Sequence, residues 1–210
     1  MKQEEFQKVV AGHADALTRI REAAHNLHDS VNQRYAVYHP YGYHLDMVVD
    51  AVRRYGAEAL EKEEDVLPVL FGAYYHDSIE DARVTYNDVK KMASQYMSEE
   101  QATTATEIVY ALTNEKGRSR AERANDKYYQ GIRETPYAPL VKLADRLANI
   151  TYSCGHNDAL NARMRDVYRR ELPHFLAAIA SERAASDIRF GLPSAMMDKL
   201  QQVLEQPQAQ

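Results

Sequence analysis

Apolar residues recur every three or four positions along nearly all of this 210-residue chain, and little interrupts them. Phe6, Val9, Val10, Ala16, Leu17, Ile20, Ala24 and Leu27 set the pattern within residues 3–31. A repeat near 3.6 aligns one stripe of a helix, whereas a half-buried strand alternates with period two. Eight glycines and seven prolines leave room for long unbroken helices. The same spacing predicts helices at 44–55, 66–80, 87–96, 99–112, 120–131, 136–152, 157–180 and 194–204. Asn87 reads as an N-cap, and Ser98 with Gln101 as a capping box. Tyr35–Tyr43 and Thr113–Ser119 read as loops, and Val84-Thr85-Tyr86 as a turn rather than a strand. No linker divides the chain. The expectation is one all-α domain over 1–205, with a frayed tail at 206–210.

Charge and composition narrow the function. A net charge of −5 and a pI near 5.9 argue against a broad nucleic-acid-binding surface, but leave room for a local basic pocket. Val66–Tyr75, the longest kind of apolar run here, falls far short of a bilayer span, so no membrane association is expected. The start, Met1-Lys2-Gln3-Glu4-Glu5, lacks a basic segment followed by an apolar one, so no secretory leader is expected. Cys154 is the single cysteine and has no internal disulfide partner, which suits a reducing, cytoplasmic setting.

Ionisable residues on apolar stripes carry the chemistry. With His76 at zero and about 100° per residue, Val66, Val69, Leu70 and Ala73 fall between about 20° and 120°. Asp77, Glu80 and Asp81 fall at about 100°, 40° and 140°, on the same stripe. A helix ending near Ser78 would instead leave those acids in solvent. His44 heads another apolar face, with Val48, Ala51, Val52 and Tyr55 within about 80° of it. Between Pro136 and Tyr152, Leu140, Leu143, Leu147 and Ile150 form one stripe, and Val141, Asp145, Asn149 and Tyr152 a second. A helix wanted on two sides is central, so Asp145 faces protein. Buried charges of this kind need partners or a metal. His44, His76, Asp77 and Asp145 would offer nitrogen and oxygen donors without thiolate, a set suited to Mn²⁺, Fe²⁺ or Zn²⁺. Such an ion lowers the pKa of bound water, and Glu80 and Asp81 stand where they could orient that water or take its proton.

The order His, His-Asp, Asp resembles the HD superfamily of metal-dependent phosphohydrolases. His76-Asp77-Ser78-Ile79-Glu80-Asp81 resembles the HD-x-x-ED segment of the (p)ppGpp hydrolase domains of the RelA/SpoT family and of the small alarmone hydrolases. Val141-Lys142-Leu143-Ala144-Asp145-Arg146-Leu147-Ala148-Asn149 resembles their V-K-L-A-D-[RK]-L-x-N segment, and Ala111–Lys116 the stretch before their substrate loop. The likeness spans about 30–180. It implies a single-domain HD-type helical bundle holding Mn²⁺, with Mg²⁺ another candidate, through His44, His76, Asp77 and Asp145. It implies Glu80 and Asp81 as the catalytic pair, and substrate contacts from Arg34, Lys116, Lys142, Asn149 and Tyr168. The implied reaction removes the 3′-pyrophosphate of (p)ppGpp.

Three departures temper that implication. His44 is followed by Leu45, where the family has a His-Pro pair, and His39-Pro40 supplies that pair five residues earlier, so His39 is the alternative first ligand. Met164 stands one turn ahead of Tyr168 where the family has a phosphate-binding arginine, flanked by Arg163 and Arg165. The third is that no synthetase or regulatory segment is read beside the hydrolase-like one, so a stand-alone hydrolase is expected. A nucleoside monophosphatase or an NADPH 2′-phosphatase would use the same centre, and a nucleotide-binding helical protein with a vestigial centre is a further alternative. The first and last helices could serve as a homodimer surface or as a lid.

Overall fold

A computed structural model describes residues 1–114 and 118–205. The tail at 206–210 and Lys116 lie outside the described residues. The expected first helix is two, α1 (Gln3–Gly12) and α2 (Ala14–Ser30). Gly12 marks the junction, and glycine is the residue that most readily leaves a helix apart from proline. The chain then makes a small hairpin that the sequence reading did not foresee. Strands β1 (Arg34–Tyr35) and β2 (His39–Pro40) pair antiparallel, with Arg34 opposite Pro40 and Tyr35 opposite His39. Its tip turns through Ala36 and Val37, at φ of 48° and 74°. A β-branched residue seldom adopts that conformation, which hides the turn from propensity.

Helix α3 (Gly42–Tyr55) follows, then α4 (Val66–Tyr75) and the single turn α5 (Ser78–Asp81). The predicted 66–80 helix therefore breaks at His76-Asp77, where Asp77 leaves helical geometry at φ −99°, ψ 2°. Next come α6 (Tyr86–Ala93) and α7 (Glu99–Leu112). The capping box at Ser98 is present, but α6 is capped by Thr85 with Asp88, not by Asn87. Residues 120–131 divide into α8 (Arg120–Arg123) and α9 (Asp126–Glu134), with Asn125 capping the second. Helices α10 (Ala138–Cys154), α11 (Ala159–Ile179) and α12 (Ser194–Glu205) complete the bundle.

All ten residues of α4 are buried, as a helix apolar on every side requires. Pro68 sits in its first turn, where no amide partner is lost. Each of its larger aliphatic side chains contributes roughly 1.5–3 kcal/mol by leaving water. Helix α4 packs on α2, α3 and α7, while α10 packs on α3, α11 and α12. At Gly72 a Cβ would lie 2.8 Å from Ile108 Cγ2, so the glycine permits the close approach of α7. At Gly42 a Cβ would lie 2.5 Å from the His25 ring, which rests on the start of α3. That ring bonds Asp46 at 3.0 Å, and Arg21 holds the same carboxylate at 2.6 and 2.8 Å. Tyr137 starts α10 from a left-handed conformation, pinned by its amide donating to the Arg189 carbonyl at 2.6 Å and its hydroxyl to Asp65. Among the described residues, no helix is long and apolar enough to cross a membrane.

Candidate active site

Three elements bring four ionisable side chains together. His44 comes from the first turn of α3, His76 and Asp77 from the break after α4, and Asp145 from the middle of α10. His44 Nε2 lies 3.3 Å from Asp145 Oδ1 and 3.7 Å from Asp77 Oδ2. His76 Nε2 lies 2.8 Å from Asp77 Oδ2 and 3.9 Å from Asp145 Oδ1. Donor atoms of His44, His76 and Asp145 all fall within 4.8 Å of one another. His39 is elsewhere: on β2 it stacks against Tyr43, ring centroids 4.4 Å apart.

Two imidazole nitrogens and two carboxylate oxygens suit a borderline or hard divalent ion. The orientation of His76 supports that fit. Its Nδ1 lies 2.9 Å from the Ala73 carbonyl, an acceptor, so Nδ1 carries a proton and Nε2 faces the cluster. Nε2 is buried and, among the described residues, has no aligned hydrogen bond despite its closeness to Asp77. Burial would raise both aspartates, but their neighbours reverse it. His76 holds Asp77 below the usual carboxylate range, and Lys142 with His44 holds Asp145 well below it. Both therefore stay ionised at neutral pH, as ligands must. Burial alone would lower His76, yet Asp77 lifts it to about 9.

The cluster opens into a cavity of about 280 Å³ whose lining includes Glu80, Asp81, Arg123, Lys142, Arg146 and Tyr168. Glu80 accepts from Asn114 Nδ2 at both oxygens, at 2.8 and 3.0 Å. Asp81 accepts from Gln33 Nε2 at 3.0 Å. Burial and the charge of Asp77 push the Asp81 carboxyl up to about 6. Tyr41 donates to Asp77 Oδ2 at 2.5 Å. A larger cavity, about 900 Å³, lies between Glu58, Asp65 and Arg189 and, among the described residues, is lined by no histidine or cysteine.

The expected substrate contacts fare unequally. Lys142 and Tyr168 line the cavity, but the Lys142 ammonium is 2.9 Å from Asp145 Oδ2 and so neutralises that carboxylate. Asn149 is engaged at both ends of its amide. Nδ2 donates to Asp145 Oδ1 at 2.6 Å, and Oδ1 accepts from Tyr35 at 3.0 Å. Arg34 does not join the set. It is exposed and absent from the cavity lining, because successive strand residues point to opposite faces and Tyr35 takes the inner one. Arg163 is exposed, and Arg165 is buried, bonding the Ser153 and His156 carbonyls at 2.5 and 2.6 Å. Gln33, Tyr35, Tyr41, Asn114 and Arg123 escaped the sequence reading. All lie in or beside loops, where spacing carries no facing information.

The fold is an all-α bundle in which a His-Asp pair at a helix break meets a histidine and an aspartate from two other helices. A solved structure of a metazoan ortholog of SpoT, described as hydrolyzing ppGpp and playing a role in starvation responses, shares it with a TM-score of 0.57. The two are 20% identical, over 89% of this chain and 92% of that one. The likeness is one of fold. No protein-family model matches the sequence, and no curated protein matches it.

Proposed function

We propose that this protein is a divalent-metal-dependent phosphohydrolase acting on a nucleotide in the cytoplasm, with the 3′-pyrophosphate of (p)ppGpp as its lead substrate. The observation that carries the reading is the meeting of His44, His76, Asp77 and Asp145 at one point beside two further acids. Those four would hold the ion. Once bound, Mn²⁺ or a similar ion lowers the pKa of water and polarises a phosphoryl oxygen. Asp81, with a carboxyl near 6, accepts a proton close to neutral pH and can return it to a leaving group. Glu80, steadied by Asn114, orients the same water. Arg123 and Arg146 meet phosphate charge, and Tyr168 closes the pocket.

One observation favours a second reading. Among the described residues the cavity is poorer in cations than a tetraphosphate substrate asks for, since Arg34 and Arg163 are exposed outside it, Arg165 is held by carbonyls, and Lys142 is paired with Asp145. A nucleoside monophosphate or the 2′-phosphate of NADPH would need fewer. Purified protein with Mn²⁺, offered ppGpp, dNTPs, nucleoside monophosphates and NADPH in parallel, tests both. Pyrophosphate from ppGpp supports the lead reading, and orthophosphate from the others supports the second. No release from any of them refutes the enzyme.

A further inference from the structure

The two histidines of the cluster are held in different ways. His76 is oriented by its Nδ1 proton on the Ala73 carbonyl, the usual device for a metal-binding imidazole. His44 has no such bond: its Nδ1 is buried and without a hydrogen-bond partner among the described residues. Something else must fix its plane.

Tyr35 is placed to do so. Its ring lies face to face with the His44 imidazole, centroids 4.8 Å apart and planes 14° from parallel. Tyr152 backs it edge-on at 4.9 Å. The Tyr35 hydroxyl donates to Asn149 Oδ1 at 3.0 Å, and Asn149 Nδ2 donates to the Asp145 carboxylate at 2.6 Å and to its carbonyl at 3.1 Å. One side chain from the hairpin thus reaches a histidine of α3 by stacking and an aspartate of α10 through an amide. We propose that Tyr35 is a positioning residue of the metal centre, setting the plane of His44 with its ring and the rotamer of Asp145 through Asn149. This rests on reading the cluster as a metal site.

Calorimetric titration of the full chain with Mn²⁺, and the visible spectrum of the Co²⁺-loaded protein, test it apart from activity. Tyr35→Phe keeps the stack and loses the link to Asn149, and Mn²⁺ affinity should fall about 10-fold, at the low end of what such supporting partners are worth. Tyr35→Leu loses both and should fall toward about 100-fold, with a changed Co²⁺ band. In an Asn149→Ala background, Tyr35→Phe should have little further effect on affinity. A Tyr35→Phe protein that folds with unchanged Mn²⁺ affinity and Co²⁺ spectrum overturns the inference, even if its melting temperature moves. Parent protein that binds neither ion overturns the metal reading, and this inference with it.

Discussion

The hairpin and α3 line the cavity with Tyr35, Tyr41 and His44, whereas α8 and α10 line it with Arg123, Lys142 and Arg146. The first group is held by flat contacts. Tyr35 lies on His44, and the buried His28 lies on Tyr41 at 4.6 Å with planes 18° apart. The second group is held by charge. Lys142 pairs with Asp145, and Arg146 pairs with Glu171 at 3.0 Å while its guanidinium sits 4.1 Å from the Phe175 ring centroid. Arg123 is exposed, with no ion pair among the described residues. Stacked rings fix direction without adding charge, so they suit ligand atoms that must converge. Cations attract, so they suit an anionic substrate, and two of these three are already partly neutralised.

Removing a ligand should have the largest effect. Asp77→Ala should lose divalent-ion binding and all phosphatase activity together, by metal analysis and phosphate release. Activity without bound metal would dissolve the division between the two groups. Glu80→Gln should keep the metal and lose about 10²-fold in turnover, as for a misplaced nucleophile. Full activity would take the acid pair out of the chemistry.

The aromatic group can be probed by pH. Burial lowers His28 to about 4, with Asp77 opposing and His76, His44 and His25 reinforcing the shift. The unfolded chain takes up that proton near pH 6.5 and the folded chain only near 4, so stability is full above 6.5 and declines as pH falls toward 4. The loss is on the order of 3 kcal/mol. His28→Phe preserves a ring against Tyr41 and removes two unpartnered nitrogens. Its denaturant midpoint should exceed that of the parent at pH 5 and vary less between 4 and 6.5. An equally steep acid decline would show that the ring nitrogens are not what titrates. The smallest effect is expected at the exposed cation. Arg123→Ala should raise KM about 10-fold, the loss of one charge-assisted contact, and leave Mn²⁺ affinity unchanged. A fall in metal affinity would mean the two groups are not separable.

The clustered histidines and aspartate were legible in the sequence for the reason that makes them unusual. His44, His76 and Asp145 interrupt apolar stripes, and a charge in a stripe is visible in one dimension. Helix α7 was legible from Ser98 and Gln101, since a cap is a local bond. Thr85 was not, because Asn87, two residues on, is itself a favoured cap residue, although the Thr85 hydroxyl is what caps α6. The break at His76-Asp77 was legible only by halves: a helix end near Ser78 is one of the two readings of the spacing, but that reading leaves Glu80 and Asp81 in solvent, whereas they reach the cavity from a separate turn. Arg34 and Tyr35 differ by one position, and a two-residue strand decides which of them faces inward. Tyr35 and Asn149 are 114 residues apart, joined by a contact that no local pattern announces.

Gly42 bears on any attempt to transplant this centre. The imidazole of His25 occupies the space a side chain there would need, two residues from His44. A graft of α3, α4 and α10 into another scaffold would therefore have to bring α2 along, or redesign the surface against which Gly42 packs.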